Sequence, residues 1–166
     1  GLDERLEIIV PLYNRLMAQA ASDSIEGIFG TADWNWKLDE EYTQSFVESF
    51  QEEYDQPPSY AARLAYTQTM QYAAAVERAE TFYPPEVIRE MEDYEFDNAG
   101  LGGELMRGSD HQAFRDVLVV QGKAPGDRDS EFDLLNVVNQ TPRDDIGYGP
   151  DEGPAAECEL GEYGDE

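Results

Sequence analysis

Apolar residues fall along this chain in two periods, and the change from one to the other marks out the elements. Leu6–Tyr13, LEIIVPLY, is a short and nearly continuous run of β-branched and large apolar residues. That pattern predicts a strand buried on both faces. Asn14–Ser24, NRLMAQAASDS, holds no β-branched residue and suits a short helix. Ile25–Gly30, IEGIFG, is a second apolar run. The opening therefore predicts β-α-β, with 7–13 and 25–30 as neighbouring parallel strands.

The period then changes to 3.6. Asp39 is the expected N-cap of a helix near 40–54, with Glu40 and Glu41 in a first turn whose dipole favours negative charge. Tyr42, Phe46, Val47, Phe50 and Tyr54 recur at helical spacing as its apolar face. Asp55–Ser59, DQPPS, stops it, and Ser59 is placed to cap a long Ala-rich helix near 60–79 with Leu64, Met70, Tyr72 and Val76 among its apolar positions. A third helix is expected near 85–93, with Pro85 near its first position. The Gly-rich stretch FDNAGLGGELMR reads as turns, and DVLVVQG and FDLLNVVN read as strands. Residues 1–142 are the expected folded portion. Residues 143–166 hold nine acids and one Arg among repeated Gly and Pro, and are expected to be a tail ordered only where it docks.

Both tryptophans lie in Gly30–Trp36, GTADWNW, on the segment that leaves the second predicted strand. Open α/β sheets gather ligands beyond the carboxyl ends of their strands. Two positions apart on extended chain, Trp34 and Trp36 can face one side and form a ligand wall, with an indole N–H free to fix a polar group. Covering a core edge or an interface is the other use of such rings.

Composition narrows the class. The net charge is −26, from 37 acidic and 11 basic residues, and only Lys37 and Lys123 are lysines. A disordered acidic chain carries few aromatics, whereas this one has 10 Tyr, 7 Phe and 2 Trp. A folded domain with an acidic surface is the better reading. Such a surface repels itself at low salt, and near 1 M salt the Debye length falls to about 3 Å. Abundant carboxylates with almost no lysine thus point to adaptation to high salt. The same charge argues against nucleic acid and anionic lipid as partners. No apolar run is long enough to span a bilayer, and Gly1–Arg5 does not read as an export signal. The single Cys158 precludes an internal disulfide.

Candidate chemistry is sparse. Asp127–Val138 starts like a calcium loop but carries Phe132 where the turn needs Gly and Val138 where the bidentate Glu belongs. Gly100–Glu104, GLGGE, lacks the GK[ST] of a phosphate loop. His111, the only histidine, follows Asp110; this is an acid–base pair or, more commonly, a structural hydrogen bond. No catalytic residue, metal site or cofactor is expected.

The order EGIFGTADW, FVESFQEEY, QPPSYAARLAYTQTMQYAAAVERA, PPEVIREMEDYEF, GLGGELMRGSDHQAFRDVLVV resembles the C-terminal part of the branched-chain amino-acid-type substrate-binding proteins of ABC importers, haloarchaeal members above all. The resemblance covers Leu6 to Val120 strongly and the acidic tail more loosely; PPSYAARLAY is its most specific piece. It implies an α/β fold of the type I periplasmic-binding-protein kind, in which two lobes joined by three crossovers close over a ligand. It implies an extracellular, lipid-anchored protein that captures a small polar solute, such as a branched-chain amino acid or amide, for ABC permease subunits. The first lobe, much of the second and the export signal are then expected before Gly1. In that family the loop after the strand matching IEGIFG faces the cleft and often carries a ligand-contacting aromatic. Carried over, this implies Thr31, Asp33 and Trp34 as ligand-binding, with Trp36 beside them. Two other readings share the fold: a sensor without transport, and a surface-assembly protein, for which the unpaired Cys158 and the Gly/Pro tail are the motive.

Overall fold

The computed structural model describes residues 5–97 and 103–161. In chain order its elements are β1 (Ile9–Val10), α1 (Arg15–Ala21), β2 (Phe29–Ala32), α2 (Glu41–Tyr54), α3 (Tyr60–Ala79), α4 (Pro84–Met91), β3 (Glu95–Phe96), β4 (Glu104–Met106), β5 (Ala113–Phe114), β6 (Val117–Gly122), β7 (Leu135–Thr141) and α5 (Arg143–Ile146). They fall into two compact units. The first is built from Gly1–Arg63 and Asp116–Thr141, the second from Leu64–Arg115 and Pro142–Glu166, so the chain passes between them three times.

The first unit holds a four-stranded sheet in the order β1-β2-β6-β7. β1 and β2 are parallel, with Ile9 level with Phe29 and Val10 with Gly30, as a β-α-β opening requires. β6 runs antiparallel to both of its neighbours. Its alternation places Leu118 and Val120 in the core without exposure, the period-two pattern of a strand with one covered face. β1 departs from expectation. It spans two residues rather than seven, and Ile9 is 68% exposed, with Leu6 and Leu12 also at the surface. The reason is its position at the sheet edge, where no described strand covers its outer side. β2 starts at Phe29 rather than Ile25 because Ser22–Ile25 closes into a 3-10 turn that drives Ile25 wholly into the core. Two close approaches require glycine. A Cβ on Gly30 would collide with Val10 O and Tyr13 Cβ, and one on Gly122 with the carbonyl of Ile25.

α2 begins one residue later than its sequence cap suggests: Glu40 is the N-cap, and Asp39 lies outside. Its inward positions are Thr43 and Val47, while Tyr54 is exposed. Phe46, Phe50 and Tyr54 instead form a ladder of rings along the helix, with centroids 5.8 and 4.5 Å apart. Asp55 ends α2 in the left-handed region, at φ 53. Ser59 Oγ accepts the Ala62 N–H at 3.2 Å, so the expected cap of α3 forms. The buried residues of α3 are Arg63, Thr67 and Ala75, four and then eight positions apart on one face; Met70 and Tyr72 face water. Its apolar residues did not reveal its inner face.

The second unit holds a three-stranded antiparallel sheet, β3-β4-β5. The stretch read as turns holds strand instead at Phe96, which ends β3, and at Glu104–Met106, which is β4; residues 98–102 lie outside the described residues. Beside this sheet Arg78 stacks on Tyr94, 3.6 Å from the ring centroid, and donates to the backbone carbonyl of Glu90. The acidic tail is tied to the same unit. Arg143 donates to Glu95 at 2.7 Å, and Arg107 to Tyr148 O at 2.6 Å. His111 turns away from Asp110: its Nε2 meets Glu92 Oε1 at 2.7 Å, while Asp110 pairs with Arg107. The Arg107 hydrogen bond holds the Asp110 carboxyl below its ordinary pKa.

Candidate functional site

The two parallel strands end side by side in the first unit, and a loop leaves the carboxyl end of each. Thr31 joins the loops. Its carbonyl accepts from Tyr13 N–H at 2.6 Å, and its Oγ1 accepts from Leu12 N–H at 3.3 Å. This seats the first loop on β2. Asn14 then caps α1, its Oδ1 taking the Met17 N–H at 3.1 Å. α1 thereby begins with Arg15 beside the second loop.

The second loop is held from three directions. Trp34 is 5% exposed. Its ring lies 6.2 Å from Phe46, and its indole N–H donates to Thr43 Oγ1 at 3.2 Å; that hydroxyl in turn donates to Glu40 Oε2. The indole N–H is therefore engaged within the fold, and the ring is what Trp34 presents to a cavity. Asn35 Nδ2 donates to Leu135 O on β7, and Asn35 Oδ1 accepts from Lys37 N–H at 2.9 Å, a turn that a short amide side chain closes on its own backbone. Lys37 Nζ reaches Asp129 at 2.7 Å and Asp133 at 3.0 Å. Trp36, less buried than Trp34, has its carbonyl fixed by Gln44 Nε2.

The outcome is a small cavity of about 20 Å³ lined by Arg15, Trp34, Asn35, Trp36, Pro58, Tyr60, Phe132 and Leu135. A second, of about 70 Å³, shares Trp34 and Tyr60 with it and adds Leu12, Asn14, Ala32 and Asp33. The two tryptophans thus line one cavity, and Asp33 joins Trp34 in the other. Thr31 lines neither; it anchors the loop. Sequence reading missed Arg15, Asn35, Tyr60 and Phe132. Asn35 lies within the quoted motif and its Asx turn was legible. Phe132 belongs to a segment almost a hundred positions downstream, which no local pattern connects.

Arg15 has an unusual setting. Nη1 donates to Pro57 O at 2.9 Å, and the guanidinium carbon lies 5.2 Å from the centroid of Phe132. Burial lowers its pKa from the ordinary guanidinium value. Asp133 shows the opposite arrangement. Burial pushes its carboxyl upward, but hydrogen bonds from Lys123, the Asp129 N–H and Lys37 outweigh that and hold it below the usual range.

Among solved structures, an amino-acid ABC transporter substrate-binding protein from Pseudomonas fluorescens Pf-5 superposes with a TM-score of 0.78 at 21% identity, over 86% of this chain and 38% of that one. A periplasmic binding protein from Burkholderia mallei gives 0.82 at 17% identity, over 94% and 41%. A leucine-binding protein from Thermotoga maritima MSB8 gives 0.67 at 19% identity, over 87% and 39%. This chain spans about two fifths of the length of these structures. At such identities the likeness is one of fold, the type I periplasmic-binding-protein fold. A search of curated proteins finds no match. The sequence profile of the periplasmic binding proteins matches residues 1–128, and the chain belongs to that family.

Proposed function

We propose that this chain is the C-terminal part of the solute-binding component of an ABC importer, which captures a small polar solute such as an amino acid or amide outside the cell. Thr31, Asp33, Trp34 and Trp36 are its ligand-side residues: Thr31 seats the loop, and the other three line the wall. One observation carries the reading. Both tryptophans line a single cavity on the loop that leaves the carboxyl end of β2, beside the loop leaving its parallel neighbour, where α/β sheets collect ligands. The role is one of binding and needs no chemical step. No described helix is long and apolar enough to cross a membrane, and we assign surface anchoring to a preceding segment. That segment supplies the rest of the solute-binding fold. The exposed apolar edge at Leu6, Ile8 and Ile9 supports this, since an unpaired edge strand of that character invites a neighbour. Residues 1–142 are the solute-binding portion and 143–166 an appended tail; ABC permease subunits are the downstream partners. The charge of −26 supports a protein adapted to high salt.

Calorimetry on the full-length protein tests the proposal. Trp34→Ala is expected to weaken solute binding by about 30- to 1000-fold, the cost of truncating a buried anchor. Circular dichroism establishes that the variant is folded. Affinity equal to the parent's returns GTADWNW to a packing role.

A further inference from the structure

A cavity of about 290 Å³ lies within the second unit and shares no residue with those beside the tryptophans. Its floor is the small sheet, at Leu105 on β4, Arg107 just after it and Phe114 on β5. Its wall is the tail between Arg143 and Gly149. The tail is shaped for this wall. A Cβ on Gly147 would stand 3.1 Å from Phe114, so the absence of a side chain there lets the tail approach the sheet. Tyr148 then meets Phe114 edge to face, with ring centroids 6.3 Å apart.

The cations give the cavity its sign. Arg107 and Arg143 both line it, whereas the carboxylates that pair with them, Asp110 and Glu95, do not. The one acid in the lining, Asp144, has a side chain 94% exposed to water. Two guanidinium groups against one carboxylate reverse the balance of a chain with 37 acidic and 11 basic residues. Arg107 is fixed without being saturated. Its Nε and Nη2 donate to Asp110 at 2.9 and 2.5 Å, and its Nη1 to Tyr148 O at 2.6 Å. Phe114 and Tyr148 flank the guanidinium, with centroids 4.7 and 5.3 Å from its carbon. Three of its five N–H donors thus find acceptors among the described residues, and each Nη has one over. The side chain keeps 15% exposure, so a solute can reach it.

Size and lining name the ligand's class. A cavity of about 150 Å³ holds benzene, so this one takes a single ring with a substituent. Rings gain from edge-to-face packing on Phe114 and Tyr148, and a carboxylate matches the N–H groups of a held guanidinium. We infer that this cavity is a second binding site, for single-ring aromatic carboxylates, with Arg107 and Arg143 facing the carboxylate and Phe114 and Tyr148 facing the ring. The inference stands apart from the solute-capture reading, because none of that site's residues lines this cavity.

Calorimetry on the full-length protein at fixed salt tests it with benzoate, benzyl alcohol and cyclohexanecarboxylate; the second lacks the charge and the third the aromatic ring. Benzoate is expected to bind tightest, by about 10- to 100-fold over the alcohol, the worth of a hydrogen bond between charged groups. Amide spectra of the isotope-labelled protein locate it: Gly147 and Gly149 are expected to shift with benzoate, and Thr31, Asp33 and Asn35 to stay. Arg107→Gln is expected to lose about 10- to 100-fold on benzoate, and Arg107→Lys, which keeps the charge without the fork, to lose less. Because Arg107 also holds the tail through Tyr148 O, Leu105→Trp is the second variant. It fills the floor, leaves both arginines and their carboxylates in place, and is expected to abolish benzoate binding. Failure of benzoate to bind, or a comparison compound that matches it, overturns the inference. So does either Arg107→Gln or Leu105→Trp binding benzoate as the parent does, or a shift confined to the amides of the tryptophan loop.

Discussion

Lys123 Nζ stands 2.7 Å from Oδ2 of Asp133, a carboxylate whose side chain has no solvent exposure. Lys37 reaches the same oxygen from 3.0 Å. The only two lysines of the chain therefore converge on one buried acid, and through Lys37 that acid braces the loop carrying Trp36. Asp133→Ala takes the counter-ion from Lys123 and leaves Lys37 with Asp129. The expected loss of stability is about 3 kcal/mol, at the low end for breaking a buried pair because Lys37 retains some exposure. Lys37→Met is expected to cost less, since Lys123 stays in place. Urea unfolding of the full-length proteins measures both.

The same carboxylate has a pH signature. Its folded pKa is depressed, since hydrogen bonds from Lys123, the Asp129 N–H and Lys37 overcome the opposing effect of burial. The linked stability is fully present above the unfolded carboxyl pKa of about 3.9. It is lost as pH falls through the lower, folded value. Thermal midpoints taken from about pH 5 downward are expected to fall more steeply in the parent than in Asp133→Asn, which has no carboxylate to protonate. Parallel curves would show that Asp133 carries no linked proton.

Trp34 should separate packing from polarity. Trp34→Phe keeps a ring against Phe46 but removes the N–H that Thr43 accepts, at an expected cost of about 1 kcal/mol. Trp34→Ala removes the ring as well and is expected to cost about 3–5 kcal/mol. Trp36→Ala, at a less buried position, should cost the least. Denaturant midpoints of the three variants check the order.

Two glycines form a controlled pair. Gly122→Ala drives a methyl into the Ile25 carbonyl, and a destabilisation of about 1–3 kcal/mol is expected. Gly126→Ala meets nothing within 4 Å, and its effect is expected to stay within about 0.5 kcal/mol. Equal midpoints for the two would contradict the packing at the start of β2.

Salt should act on the whole molecule. With a charge of −26, stability is expected to rise as ionic strength goes from about 0.1 M to about 2 M and the Debye length shrinks from about 10 Å to below about 3 Å. Thermal melts across that range measure it, and an unchanged midpoint counts against high-salt adaptation.

The elements that were legible in the sequence are those whose local pattern and tertiary setting agree. α3 runs from Tyr60 to Ala79 as its Ser59 cap and Ala-rich pattern announce. β6 alternates because β2 and β7 flank it and one face is covered. Where tertiary setting decides, local pattern misleads. LEIIVPLY has the composition of a central strand yet lies at an edge. The inward row of α3 is marked by Arg63 and Thr67, polar residues that hydropathy assigns to water. The candidate site was half legible. GTADWNW was identified by its tryptophans and its place after a strand, whereas Arg15 and Phe132 were not, because their meeting with Trp34 depends on how distant segments pack.

The pairing of Ala32 with Leu118 has a consequence for synthesis on the ribosome. Between these partners lie α2, α3, α4 and the entire small sheet of the second unit. As the chain emerges, β2 finds only β1, a two-residue parallel partner, and its other edge stays open until Val117–Gly122 has left the exit tunnel. For that interval the nascent chain carries an unpaired strand with Ile25 and the inner faces of the sheet uncovered, the kind of surface that aggregates. A net charge that keeps such chains apart from one another would protect this late-closing sheet before it protects the finished protein.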